Sequence, residues 1–241
     1  MKKVLETDEI FDNINEIKNK YKNEPNTVMI SIDAKDSISI GDFSRGGYNR
    51  IDIKACDHDF KTNNTLIPFG ILDLCSNKPT IYNTTSKVTA DFIVDCLIEW
   101  WKQSEYKDNK KRIVIFSDNG PECSSRRTRY MHRLLLFADM FDIEIVLAYY
   151  PPYHSKYNPI ERIWARLENI WKGDLLNSVE KCIKYMDNMT WKGVNASAYL
   201  IEKEYKTGIK ESKHTIDFIE QYLTRKKGIE KYAITILDCN A

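Results

Sequence analysis

Three carboxylates stand where secondary-structure elements end or begin. Asp33 closes the β-branched run TVMISIDAK, Asp118 closes KRIVIFSD, and Glu161 falls in the first turn of the amphipathic segment that follows the double proline of YYPPYHSKYNPIE. Acids at strand ends can converge at one edge of a sheet, where hard cations such as Mg²⁺ take oxygen ligands. A pair of such ions can activate a water or hydroxyl and stabilise the leaving oxygen of an in-line phosphoryl displacement. Each acid also has an ordinary role open to it. Aspartate at a strand end is a common turn residue, and glutamate near a helix start complements the helix dipole.

The elements that must position these acids follow from periodicity. Residues 6–22 carry Ile10, Phe11, Ile14 and Ile17 at near-helical spacing, and Pro25 ends the pattern. TVMISIDAK reads as a buried strand, DSISIGDF alternates like a second one, SRGGYNR is a turn and DHDFKTNNTL a loop. IPFGILDLCSN and PTIYNTTS read as strands around a turn at Asn77-Lys78-Pro79. TADFIVDCLIEWWK is helical, with Phe92, Cys96 and Trp100 along one side. KRIVIFSD is a strand, SSRRTRYMHRLLLFADMF a helix and IEIVLAYY a strand, and the helix bearing Glu161 follows. Residues 178–190 and 212–225 read as further helices. Three early strands with no helix between them, followed by alternating strands and helices, predict an α/β fold: a mixed sheet flanked by helices.

Composition narrows the function classes. With 241 residues, 42% of them hydrophobic, the chain can bury a substantial core. Lys and Arg number 36 against 35 Asp and Glu, so any nucleic-acid site must come from local clustering rather than bulk charge. Six cysteines without a CxxC pair argue against zinc ligation or a disulfide framework and fit reduced thiols. The charged N-terminus has no apolar signal-peptide core, and no apolar run reaches membrane-spanning length. The expectation is a cytoplasmic protein.

The stretches SIDAKDSISIGDFSRGG, HDF at 58–60, IPFGILDLCSNKPTIY, TADFIVDCLIEWW, IVIFSDNGPECSSRRTR, PPYHSKYNPIE and YKTGIK at 205–210 run in the order of a known family. The chain resembles the catalytic domain of DDE-type insertion-sequence transposases, of the ISAzo-type subgroup, which share the RNase H-like fold with retroviral integrases. The most specific element is the P-P-x-x-S-K-x-N-x-I-E pattern, and the resemblance covers roughly residues 29–216. It implies a mixed five-stranded sheet flanked by helices, with extra helices at the C-terminus. The expected division is an N-terminal helical segment at 1–27, a catalytic domain at 28–190 and a C-terminal helical extension at 191–241. Asp33, Asp118 and Glu161 then occupy the three acidic positions, as catalytic residues and as ligands of Mg²⁺ or Mn²⁺, with two ions expected. The implied reaction is nicking at a transposon end followed by attack of the freed 3′-hydroxyl on target DNA. Pro121 and Cys123 depart from the glycine-rich stretch the family has after the second acid.

Other residues carry smaller expectations. Lys156 is a candidate phosphate contact, and Asn158 either contacts DNA or caps the helix of Glu161, with Pro159 at its first position. His154 lies in the same loop within reach of the site. Arg126, Arg127, Arg129 and Arg133 read as lying on the helix after Asp118, with Arg126 the chosen DNA contact. His58 and Asp59 read as an ordered loop, the tryptophans as core, and Asp36 and Asp73 as acids outside the triad. Roughly 28 residues precede the first strand, too few for a bihelical DNA reader, so recognition of transposon ends is expected elsewhere. The partners expected are transposon-end and target DNA and a second copy of the chain. The competing readings are a degenerate transposase fragment that binds DNA or protein, and an RNase H-like nuclease of another kind.

Overall fold

Strand β1 (Thr27–Ala34) is buried on both faces over most of its length, which is the signature of a central strand. On one face Val28, Ile30 and Ile32 join a core with residues of helices α2 and α3; on the other, Met29 packs against a core with helix α1. In this computed structural model residues 5–48, 55–56, 64–237 and 239 are described. The chain order is α1 (Thr7–Tyr21), β1, β2 (Ile38–Ser39), β3 (Thr65–Asp73), β4 (Pro79–Thr84), α2 (Ala90–Gln103), β5 (Arg112–Ser117), α3 (Thr128–Phe141) and β6 (Glu144–Tyr149). It continues with α4 (Glu161–Ile170), α5 (Val179–Asp187), β7 (Thr190–Trp191), β8 (Val194–Asn195), β9 (Ser197–Leu200), α6 (Lys213–Glu220), β10 (Leu223–Arg225) and β11 (Ala233–Ile236).

The main sheet runs β10-β11-β6-β5-β1-β3-β4-β9, with β2 added on β3. Strands β1, β3 and β4 form an antiparallel meander, whereas β1, β5 and β6 are parallel. That is the expected mixed five-stranded sheet. It is widened at both edges by chain that follows α5: β9 adds parallel to β4, and the β10–β11 hairpin adds antiparallel to β6. Helices α2 and α3 cover one face. The other is covered by α1 over β5 and β6 and by α4 and α5 over β3 and β4.

Several expectations need correction. The segment 191–241, read as a helical extension, supplies one helix and strands β8 to β11. The helix expected over 212–225 stops at Glu220, and Leu223–Arg225 pairs as a strand with Ile234–Ile236. The second strand is only Ile38–Ser39. The helix after Asp118 begins at Thr128, so Arg126 and Arg127 lie in the loop before it. His58 and Asp59 fall outside the described residues. Among the described residues no helix is long and apolar enough to cross a membrane.

Candidate active site

Parallel pairing levels the first two acids. Ser31 of β1 sits opposite Phe116 of β5, and both chains run two residues further in the same direction to Asp33 and Asp118. The two carboxylates therefore emerge side by side at the carboxyl ends of adjacent strands, the place where open α/β sheets bind ligands. Asp33, Asp118, Gly120, Cys123, Phe69 and Ile93 line a pocket of about 200 Å³, mostly apolar with the acids at its wall.

The third acid arrives by a different route, set by a polar residue in the middle of β1. Ser31 is fully buried in an otherwise apolar run, and its hydroxyl donates to Asn158 Oδ1 at 2.5 Å while accepting the Ile160 N–H at 3.0 Å. Asn158 Nδ2 donates to the Ile32 carbonyl at 2.9 Å. The side chain expected to cap a helix instead clamps the segment before α4 onto β1. The helix start is managed by backbone: residues Ser155–Tyr157 form a 3₁₀ turn, and the Glu161 and Arg162 N–H groups donate to the carbonyls of Asn158 and Pro159. Helix α4 thus begins at Glu161, beside the ends of β1 and β5.

Trp164, one turn further along α4, donates its indole Nε1–H to Asp33 Oδ2 at 2.9 Å. This contact requires a glycine. Asp33 pairs with Gly70 of β3, and a Cβ there would lie 2.7 Å from the Trp164 ring and 2.8 Å from Ile160. The missing side chain lets α4 lie flat against β3 and brings the indole to the carboxylate. Lys35 and Glu168, paired at 2.6 Å, fasten the same helix just past the end of the acid's strand.

The charges of the other two acids reach Asp33. The Asp33 carboxyl is pushed up from its ordinary 3.8 to about 7, chiefly by burial; Trp164 opposes the rise, and the charges of Asp118 and Glu161 add to it. Cys123 donates its thiol toward the Asp118 backbone carbonyl (3.4 Å) and carboxylate (3.7 Å). Burial, and after it the Asp118 charge, push that thiol far above its usual range, so it is a neutral donor rather than a thiolate. Gly120 passes so near Asp118 that a Cβ would sit 3.2 Å from Oδ1. The residue that departs from the family pattern therefore supports the second acid.

The donor set suits a hard divalent cation: three carboxylates, one of them held partly protonated chiefly by burial. Among the described residues no three His, Cys, Asp or Glu side chains are grouped tightly enough to hold a metal ion. The acids lie near enough to perturb one another but are not drawn into a finished cage.

The expected DNA contacts divide in two. Lys156 and Arg126 are exposed, and neither makes an ion pair among the described residues. Asn158 and His154 are only 1% and 3% exposed; His154 hydrogen-bonds the Pro152 carbonyl and sits edge-on to Phe11 of α1. Their burial removes both from the DNA-contacting surface. Arg127, Arg129 and Arg133 pair with Glu122, Asp91 and Asp95 respectively. Sequence reasoning missed Ser31, Gly70 and Cys123. A lone serine inside a buried strand and a glycine inside another were the available signals, since each demands a specific neighbour.

An antiparallel β4-β3-β1 meander continued by parallel β5 and β6, with acids at the ends of β1 and β5 and at the start of α4, is a mixed α/β fold shared with transposases of known structure. The sequence matches the family described as the Rhodopirellula transposase DDE domain over residues 1–238, a wider span than the motifs alone indicated, and the chain belongs to that family. No curated protein matches it. Among solved structures it is similar to the Mos1 mariner paired-end complex with Mn (12% identity, TM-score 0.54, covering 78% of this chain and 55% of that one). It is likewise similar to the Mos1 transposase paired-end complex with the left transposon end (14% identity, TM-score 0.51, 78% and 55%). At that identity the likeness is one of fold, and the chain spans about half the length of these transposases.

Proposed function

We propose that this chain is the catalytic domain of a DDE transposase, which nicks DNA at a transposon end and transfers the freed 3′-hydroxyl into target DNA. The observation that carries the reading is the levelling of Asp33 with Asp118 by parallel pairing, together with the Ser31–Asn158 clamp that brings Glu161 to them. Asp33, Asp118 and Glu161 would hold Mg²⁺ or Mn²⁺, as two ions, which supply an activated water or hydroxyl and charge stabilisation at the leaving oxygen. Trp164 fixes one oxygen of Asp33 and leaves the other for coordination. Cys123 holds the Asp118 loop. Lys156 and Arg126 offer unpaired positive charge to the DNA backbone on either side of the acids. DNA is accordingly the substrate partner, and a second copy of the chain is the expected partner for pairing two transposon ends.

The test is nicking and strand transfer on labelled transposon-end duplexes with Mg²⁺ or Mn²⁺. Asp33→Asn, Asp118→Asn and Glu161→Gln should each lower the rate by about 10²–10³-fold, the typical cost of removing one group that stabilises the transition state. Full activity in Glu161→Gln would overturn the triad assignment. Cleavage confined to RNA–DNA hybrids would point instead to a nuclease of another kind.

A further inference from the structure

At the other end of the loop that leaves Asp118, helix α3 begins without a cap. Arg127 occupies the N-cap position and its side chain makes no capping hydrogen bond. The first N–H groups of such a helix are orphaned donors at the positive end of its dipole. The end opens on a cavity of about 320 Å³ lined by Ser125, Thr128, Arg126, Arg225 and Lys231. Ser125 is 2% exposed, and its hydroxyl has no hydrogen-bond partner. A buried hydroxyl left unsatisfied costs free energy unless something occupies the space it faces.

The charges around this cavity are asymmetric. Arg225 is paired with Glu220 at 2.9 Å, and Glu230 is engaged by the Gly228 N–H. Arg126 and Lys231 are exposed and form no close ion pair among the described residues, although the Lys231 charge acts on Glu230. Three cations against two carboxylates leave the lining with a net positive charge. Unspent N–H donors, an unpartnered hydroxyl and two cations outside close ion pairs together make a site for a tetrahedral oxyanion.

Its location ties it to the acids. Asn119, next to Asp118, accepts the Ser125 N–H at 3.1 Å and donates to the Lys231 carbonyl at 3.3 Å. One side chain thereby fixes the cavity wall to the residue beside the second acid.

We propose that this cavity, between the start of α3, helix α6 and the β10–β11 hairpin, binds a phosphodiester of the DNA strand on which the acids act. Ser125, the α3 N-terminus, Arg126 and Lys231 are its ligands, and it registers the strand one loop away from Asp118. The proposal rests on the reading of the chain as a DNA-acting enzyme, and it gives the C-terminal hairpin a binding role as well as a structural one.

The test uses the full chain with EDTA, so that binding is measured without cleavage. Fluorescence anisotropy with a labelled duplex over a salt series would compare wild type with Ser125→Ala, Arg126→Ala, Lys231→Ala and the Arg126→Ala/Lys231→Ala double variant, with Lys107→Ala as a distant surface control. The double variant should lose about tenfold or more in affinity, and its salt slope should fall by about two, one for each lost phosphate contact. Ser125→Ala should weaken binding about fivefold while leaving the melting temperature unchanged or raised, because it deletes an unsatisfied hydroxyl. Inorganic phosphate provides the second arm: it should raise the melting temperature of wild type and not of Ser125→Ala. Wild-type DNA affinity and slope in the double variant would overturn the pocket and leave the transposase reading standing. Phosphate stabilisation abolished by Ser125→Ala, in a chain that binds no DNA, would keep the anion site and overturn its assignment to a DNA strand.

Discussion

Asp33 and Asp73 lie on adjacent antiparallel strands at opposite ends of one sheet, and their surroundings are opposites. Asp73 is buried inside a full set of donors: Oδ1 accepts the N–H groups of Cys75 (2.7 Å) and Ser76 (3.2 Å), and Oδ2 accepts the hydroxyls of Ser76 (2.6 Å) and Tyr106 (2.7 Å). Burial, followed by this bond to Asp73, pushes the Tyr106 phenol well up, which keeps it a donor. Asp33 has one side-chain donor, Trp164, and two carboxylates for neighbours. A structural acid is surrounded by groups that stabilise its charge; the acid at the proposed catalytic edge is surrounded by groups that oppose it. The unmet demand at Asp33 is what a cation would answer.

The contrast can be broken most sharply by exchanging the two roles. Asp33→Asn should lower nicking by about 10²–10³-fold, yet leave the EDTA-treated protein as stable as wild type or more so. Asp73→Ala should do the reverse. It strands four donors and should cost about 2–4 kcal/mol in urea unfolding, while the folded fraction keeps its cleavage rate. If Asp73→Ala lost activity at full stability, the division between the two acids would fail.

Gly70 comes next in size. Gly70→Val drives two methyls into the Trp164 ring and should cost about 1–3 kcal/mol through overpacking. It should also lower the cleavage rate beyond what that instability explains, because the indole carries Asp33 with it. Urea melts read alongside single-turnover rates would separate the two effects.

The smallest effect is a pH dependence. In the folded protein without cation Asp33 holds its proton up to about pH 7, whereas in the unfolded chain it releases it near 3.8. Its contribution to stability is fully present below about pH 4 and is lost as pH rises toward 7, because over that range the unfolded chain ionises freely while the buried acid keeps its proton. With EDTA the melting temperature of wild type should therefore fall by a few degrees across that window relative to Asp33→Asn. Mg²⁺ should restore it at the upper end. Parallel curves for the two proteins would show that Asp33 titrates normally.

Much of this arrangement was legible in the sequence. The runs ending at Asp33 and Asp118 are apolar and β-branched enough to be strands in any context, and Glu161 follows a proline-rich turn that starts a helix. Strands β9, β10 and β11 were not legible. They are three or four residues long, lie at the sheet edges, and take their conformation from β4 and β6 rather than from their own composition. Arg126 was placed on a helix because arginine is a good helix former; the loop from Asp118 to Arg127 is instead held by Asn119 and Cys123, whose partners only the fold supplies. Asn158 was misread for a related reason. Asparagine before Pro-x-Glu has the pattern of a cap, but its side chain found Ser31, a partner that no local window contains.

The Ser31–Asn158 bond joins positions 127 residues apart. Closing so long a loop is entropically costly and slow compared with forming any hairpin. While the chain is being synthesised, both aspartates have left the ribosome and can pair in their strands before the glutamate exists to join them. On the proposed function, a polypeptide interrupted before Glu161 would carry the two aspartates without the acid that completes their site.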